Sequence, residues 1–313
     1  MNRFLTVAAA GMFAVLTASS ARAELWPQWR GATGDGLSNE TDLPVSWSSD
    51  KGVLWKADLP GFANSSPAVT DKHVVVTSQT KDNSLWVLVL DRKSGAIKRK
   101  VNVGSGKLAA KGPANLYAHR HNAATPSPIA VGNRVWAFFG SGLLVCVDAE
   151  SGKTVWQKDM VKQYGKYNIT FGMGATPRLW KGLLYVSCLT KGASYVVALD
   201  ADSGEEKWKV DRRLPAKDDG PDAYSTPIVA GNELLIAGSD QVNSYDLLSG
   251  KQNWITNGLT IDSPYGRVIA SPVPTPSGIV IAASANPGGG GKGRVIAVNA
   301  LGKKGDVSSN RAW

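Results

Sequence analysis

Apolar residues along this chain come in short β-branched runs rather than helical stripes, and the runs recur in a fixed order. Ser65-Ser66-Pro67-Ala68-Val69 opens one unit and leads into His73 to Thr77. The same features return as Thr125-Pro126-Ser127-Pro128-Ile129 before Arg134 to Phe139, and as Ala175-Thr176-Pro177 before Leu183 to Leu189. Two more units follow, Ser225-Thr226-Pro227-Ile228-Val229 before Glu233 to Ala237 and Ala270-Ser271-Pro272-Val273 before Gly278 to Ala283. A second apolar run then ends in Asp91, Asp148, Asp200, Asp246 or, as a departure, Asn299. In four units a Ser-Gly turn follows, at Gly95, Gly152, Gly204 and Gly250. A further strand carries Trp156, Trp208 and Trp254, with Ile97 near the corresponding place in the first unit.

The opening prolines, Pro67, Pro128, Pro177, Pro227 and Pro272, stand 45 to 61 residues apart. Four short strands in a repeat of that length make one blade of a β-propeller. The spacing therefore predicts an all-β fold, a β-propeller of four-stranded blades with about five blades present. Proline is tolerated at a strand start because no ladder bond is yet required of its nitrogen. In Asp-x-x-Ser-Gly the carboxylate accepts backbone N–H bonds while glycine takes the left-handed conformation. A tryptophan in the outermost strand offers large apolar area to the adjacent blade. The recurrence of the aspartates at one turn marks them as scaffold rather than catalytic groups.

Residues 1–23 read as a signal peptide. Arg3 supplies the positive start, Phe4 to Leu16 an apolar run too short to span a bilayer, and Ala21-Arg22-Ala23 the small-x-small cleavage pattern, with cleavage after Ala23. Residues 24–52 form an N-terminal segment and 53–313 the propeller. Leu54-Trp55-Lys56 resembles an outermost strand arriving before the first complete unit. The fifth unit stops at Arg311-Ala312-Trp313, where its outer strand has barely begun and the repeat expects its own tryptophan. This favours a chain lacking its C-terminal blades, part of a seven- or eight-bladed ring. The alternative is a five-bladed ring completed by the strand around Trp55.

Composition narrows the partners. Low charge (19%) with 11 tryptophans excludes disorder. The net charge of +10 is spread over turns rather than gathered in a stripe, which argues against nucleic acid. No later apolar run is long enough for a membrane span. The expected location is periplasmic or extracellular. Cys146 and Cys188 are read as two buried thiols, with a bridge left open, since spacing alone does not fix the Cα separation. Nothing near them has zinc-site spacing.

Three segments carry a family resemblance: Val147-Asp148-Ala149-Glu150-Ser151-Gly152-Lys153-Thr154-Val155-Trp156, Ala198-Leu199-Asp200-Ala201-Asp202-Ser203-Gly204-Glu205-Glu206-Lys207-Trp208, and Tyr245-Asp246-Leu247-Leu248-Ser249-Gly250-Lys251-Gln252-Asn253-Trp254. They resemble the PQQ-like (quinoprotein alcohol dehydrogenase-like) β-propeller repeat family. That family includes quinoprotein dehydrogenases and the outer-membrane assembly lipoprotein propeller. The opening Trp26-Pro27-Gln28-Trp29-Arg30-Gly31 is similar to secreted bacterial members. The dehydrogenase branch implies pyrroloquinoline quinone (PQQ) and calcium as cofactors. Its adjacent cysteine pair has no counterpart here, and no position matches its calcium ligands or catalytic aspartate. The lipidated cysteine of the assembly branch is also missing.

In propellers the connections between blades gather at one mouth of the central channel, where binding residues sit on a rigid scaffold. Here the candidate ligand-binding residues are Asn64, His119, Arg120, His121, Asn122, Tyr224, Tyr265 and Arg267. No catalytic or metal-ligating residue is assigned. Gly288 to Gly291 lacks the strand–loop–helix setting of a phosphate loop and reads as a hairpin insertion. The expected function is a non-catalytic binding or scaffolding module of the bacterial cell envelope that docks an envelope protein or polymer. One alternative is a quinoprotein-like dehydrogenase using PQQ and calcium in the channel. A second is a saccharide-binding propeller that uses Tyr224 and Tyr265. The oligomeric state is left open.

Overall fold

The structure, a computed structural model, describes residues 24–41, 43–108, 121–285 and 293–313. The expected signal peptide, His119, Arg120 and the Gly288–Gly291 run lie outside the described residues.

Each unit of the repeat folds as its own antiparallel meander. The first blade is β1 (Ala68–Val69), β2 (His73–Gln79), β3 (Ser84–Asp91) and β4 (Ile97–Ser105). The second is β5 (Ile129–Val131), β6 (Arg134–Phe138), β7 (Leu143–Asp148) and β8 (Thr154–Asp159). The third is β9 (Arg178–Trp180), β10 (Leu183–Leu189), β11 (Ser194–Asp200) and β12 (Glu206–Asp211). The fourth is β13 (Ile228–Ala230), β14 (Glu233–Gly238), β15 (Gln241–Asp246) and β16 (Gln252–Thr256). The fifth holds β17 (Val273–Pro274), β18 (Ile279–Ala285) and β19 (Gly293–Asn299). One short helix, α1 (Met160–Tyr164), follows β8 and is capped by Asp159, which accepts from the backbone N–H of Lys162. Successive antiparallel sheets of this kind are the blades that the repeat predicts.

The turn between the third and fourth strands works as its sequence requires. Asp148 accepts from the backbone N–H and the hydroxyl of Ser151, both at 2.8 Å, and Gly152 stands at φ +73°. The aspartates of the first, third and fourth blades make the same bonds to Ser94, Ser203 and Ser249. A β-bulge follows in each of these four blades, beside Val89, Cys146, Ala198 and Ser244. It sets the residue opposite those four positions, and three of the four are tryptophans: Trp156 faces Cys146, Trp208 faces Ala198 and Trp254 faces Ser244. In the first blade the partner of Val89 is Arg99, not the Ile97 expected from sequence. Arg99 stands eight residues after Asp91, the same interval that separates Trp156, Trp208 and Trp254 from their own turn aspartates.

These positions join the blades. Trp156 donates its indole N–H to the carbonyl of Ala201, and Trp208 donates to that of Leu247, each on the turn of the following blade. Trp55 makes the equivalent bond to Arg92 at 3.0 Å. It thus stands against the first blade as an outer-strand tryptophan does. At the fourth-to-fifth junction Trp254 instead donates to Glu233 at 2.6 Å, and Glu233 also accepts the backbone N–H of Gly302 on the fifth blade's turn. The apolar core accordingly falls into layers between blades: first with second, second with third, and third through fifth. Cys146 and Cys188 share the second layer as free, buried thiols.

The fifth blade ends, as the sequence predicts, with its outer strand barely begun. Its sheet has three strands, and β20 (Gly305–Asp306) pairs in parallel with β16 of the fourth blade. The chain then turns back along β19. Arg311 bridges Val298, and Ala297 exchanges backbone bonds with Ala312 and Trp313. Trp313 therefore lies at the register that Trp156, Trp208 and Trp254 hold in their own blades.

Candidate binding site at the propeller axis

The residue before each opening proline carries a hydroxyl, and these hydroxyls join successive blades near the axis. Ser66 N–H donates to Ser127 Oγ (3.0 Å), Ser127 N–H to Thr176 Oγ1 (3.1 Å), Thr176 N–H to Thr226 Oγ1 (3.2 Å) and Thr226 N–H to Ser271 Oγ (2.9 Å). A proline follows and fixes the chain direction. The hydroxyl of one blade satisfies the backbone donor of the blade before it, which would otherwise be unpaired and costly to bury.

The N-terminal segment crosses these inner strands. Trp26 pairs with Val69 of β1 through two backbone bonds, and Ala130 of β5 donates to the carbonyl of Pro27 at 2.8 Å. The Gln28 amide clamps Leu179 of β9, accepting its N–H and donating to its carbonyl. Arg178, 2% exposed, reaches the carbonyl of Ala32, and burial pulls its pKa down to about 10. Its Nε is left without a hydrogen-bond partner.

This crossing sets Trp29 and Arg30 over a cavity of about 260 Å3 at the axis. All five blades contribute to the wall, including the five hydroxyls, Asn64, Tyr224 and the backbone around Ile269. Arg30 is the sole charged residue of that lining among the described residues, and its guanidinium lies 4.5 Å from the centre of the Trp29 ring. Among the described residues the lining holds no aspartate, glutamate, histidine or cysteine.

Of the residues predicted to bind, Asn64 and Tyr224 line the cavity. His121 and Asn122 sit beside it in the connection to the second blade. Both ring nitrogens of His121 are engaged, Nδ1 with the Thr125 hydroxyl at 3.0 Å and Nε2 with the Phe171 carbonyl. Asn122 accepts from the backbone of Ala124 and donates to the carbonyl of Phe62. Arg267, 3% exposed, donates to Asp219 at 3.0 Å and stacks 4.4 Å from the Phe171 ring centre. Tyr265 is half exposed on the same connection. Nearby, Asp222 is fully buried and accepts the Thr170 N–H at 2.7 Å, leaving Oδ1 unpartnered; burial raises its pKa. Burial likewise raises that of Tyr224. The inter-blade connections thus meet at one mouth, tied by His121, Phe171, Tyr224 and Arg267.

Sequence reasoning missed Trp29, Arg30 and the hydroxyl ladder. The ladder had a signal, a serine or threonine before every opening proline. The position of Arg30 had none, because a segment outside the repeat carries no period that places it in space.

Comparison with known proteins agrees with this architecture. The family model described as outer membrane protein assembly factor BamB matches residues 37–192 and 140–310. BamB from Moraxella catarrhalis is similar at 20% identity and a TM-score of 0.52, over 80% of this chain and 63% of that one. Quinohemoprotein alcohol dehydrogenase from Comamonas testosteroni is similar at 14% identity and a TM-score of 0.56, over 90% of this chain and 46% of that one. A europium-containing methanol dehydrogenase shows 12% identity and a TM-score of 0.51, over 78% of this chain and 51% of that one. The chain therefore spans less than two thirds of the length of each of these structures. No curated protein matches it. At such identities the structures speak for the fold, while the family model covers most of the sequence, and the chain belongs to the PQQ-like β-propeller family described as outer membrane protein assembly factor BamB.

Proposed function

We propose that this protein is a non-catalytic propeller that docks an envelope protein, in keeping with the assembly role that its family's description prints. The observation that carries the reading is the composition of the axial cavity. Among the described residues its lining holds hydroxyls but no carboxylate, and one of those hydroxyls alone, that of Thr125, meets an imidazole, that of His121, which no carboxylate orients. A hydroxyl without an adjacent base is a weak nucleophile at neutral pH.

The dehydrogenase relatives imply PQQ and calcium. Calcium takes six to eight oxygen ligands, usually with carboxylates among them. Among the described residues the axial lining offers it no aspartate or glutamate, and the one charge there is the guanidinium of Arg30. Among the described residues no group of three His, Cys, Asp or Glu side chains converges anywhere. The described residues do not fit the calcium-bound quinone.

Two measurements test the proposal. The purified chain, supplied with PQQ, calcium and an electron-accepting dye, is expected to show no oxidation of alcohols or sugars; turnover would overturn the non-catalytic reading. A photo-crosslinking residue at Tyr265, on the exposed side of the mouth, is expected to yield one discrete adduct with an envelope protein in cells. Crosslinking to nothing, at Tyr265 and at Ile269 alike, would count against docking at this mouth.

A further inference from the structure

Arg30 brings a lone positive charge to the propeller axis. It lines the axial cavity, is half-buried, and has no carboxylate partner among the described residues. Its backbone stands at φ +62°, a left-handed conformation that an L side chain adopts at a cost. The chain therefore holds an arginine in an unfavourable backbone conformation, at a cavity whose lining brings it no counter-charge among the described residues. A half-buried cation in that position calls for an anion.

The rest of the wall is donor-rich in the same sense. Ser127, Thr176, Thr226 and Ser271 each accept a backbone N–H from the preceding blade. A hydroxyl that accepts one bond still has its own O–H proton to donate. With no carboxylate in the lining to take those protons, the hydroxyls and Arg30 present one kind of partner to the cavity. Guanidinium and hydroxyl donors together match the oxygens of a carboxylate or phosphate, and the bonds to the guanidinium are charge-assisted. The volume, about 260 Å3, has room for a small anion or an anionic head.

We infer that the axial cavity is a binding site for a compact oxyanion, a carboxylate or phosphate group held by Arg30 and the inner-strand hydroxyls, with Trp29 stacked behind the guanidinium. This goes beyond the docking proposal, which stands or falls on its own tests.

The experiment follows tryptophan emission, with Trp29 as reporter, while the full chain is titrated with inorganic phosphate and, separately, with succinate at constant ionic strength. The expected result is saturable binding of at least one of the two. Phosphate alone points to a phosphorylated ligand and succinate alone to a carboxylate. Arg30→Gly is the deciding variant, because glycine relieves the left-handed backbone while removing the charge. It is expected to weaken binding at least tenfold with no loss of thermal stability, whereas Arg30→Lys retains part of the affinity. No saturable binding of either anion, or binding that Arg30→Gly leaves unchanged, would overturn the inference.

Discussion

Trp208 lies with its ring against Gly250, at the point where the third blade meets the fourth. Its indole N–H donates to the carbonyl of Leu247 at 2.9 Å, and a Cβ on Gly250 would collide with the ring. The same arrangement joins Trp156 to Gly204 and Trp55 to Gly95. One glycine therefore serves two needs at once, a left-handed turn within a blade and a flat seat for the tryptophan of the blade before it.

Two glycines separate these needs. Gly231 and Gly250 both have positive φ, 61° and 69°, but only Gly250 has a side chain within reach of an added Cβ. Gly231→Ala should cost roughly 1–2 kcal/mol for the left-handed backbone alone. Gly250→Ala should cost a further 1–3 kcal/mol or so for overpacking. Denaturant unfolding of the two variants checks the difference, and equal losses would mean that the tryptophan seat contributes nothing.

Arg99 takes the tryptophan register in the first blade. Its Nε donates to the carbonyl of Glu150 at 2.8 Å, and its stem lies along Gly152. Arg99→Trp should restore the seat found at the other junctions and raise the melting temperature by roughly 2 °C, the shift expected for about 1 kcal/mol in a domain of this size. A lower melting temperature would show that this junction is shaped for the guanidinium.

Acid should loosen the turns. Backbone and hydroxyl bonds from Ser94, Ser151, Ser203 and Ser249 hold Asp91, Asp148, Asp200 and Asp246 below their ordinary pKa. A carboxyl group whose folded pKa lies below its unfolded value of about 3.9 stabilises the fold above that pH and ceases to do so as pH falls through the folded pKa. All four face solvent, so each effect is small. The melting temperature should fall below about pH 4, and less steeply in an Asp148→Asn, Asp200→Asn variant. An identical acid profile in that variant would contradict this account.

The two thiols should be silent in the folded protein. Burial pushes Cys146 up to about 12 and Cys188 up to about 11, so almost none of either is thiolate at pH 8, and reagents cannot reach them. Iodoacetamide should label neither in native protein and both in denaturant, read by intact mass. Labelling of the native chain, or a mass change on reduction alone, would contradict the structure.

Much of this fold was legible because the signals were periodic. The proline openings, the aspartate turns and the tryptophans at positions 156, 208 and 254 each recur with one structural job. Departures from the period were where sequence reasoning lost ground. Arg99 was missed because an apolar residue, Ile97, was sought there although the interval from Asp91 points to Arg99, and β20 because a parallel partner lies outside its own repeat. Asn64 and Tyr224 reached the cavity because connections between blades must pass the axis. Arg30 escaped because long-range pairing of a non-repeating segment, here Trp26 with Val69, is set by tertiary contacts that no local pattern encodes.

The arrangement of blades side by side about an axis is tested most directly at the Thr176 amide, which donates to Thr226 of the next blade at 3.2 Å. Residue-resolved hydrogen exchange should find this amide protected, and Thr226→Val should accelerate its exchange roughly tenfold, the effect of losing about 1.4 kcal/mol of local protection. An amide that exchanges freely in the wild type, or keeps full protection in Thr226→Val, would contradict the ladder of hydroxyls and the blade order built on it.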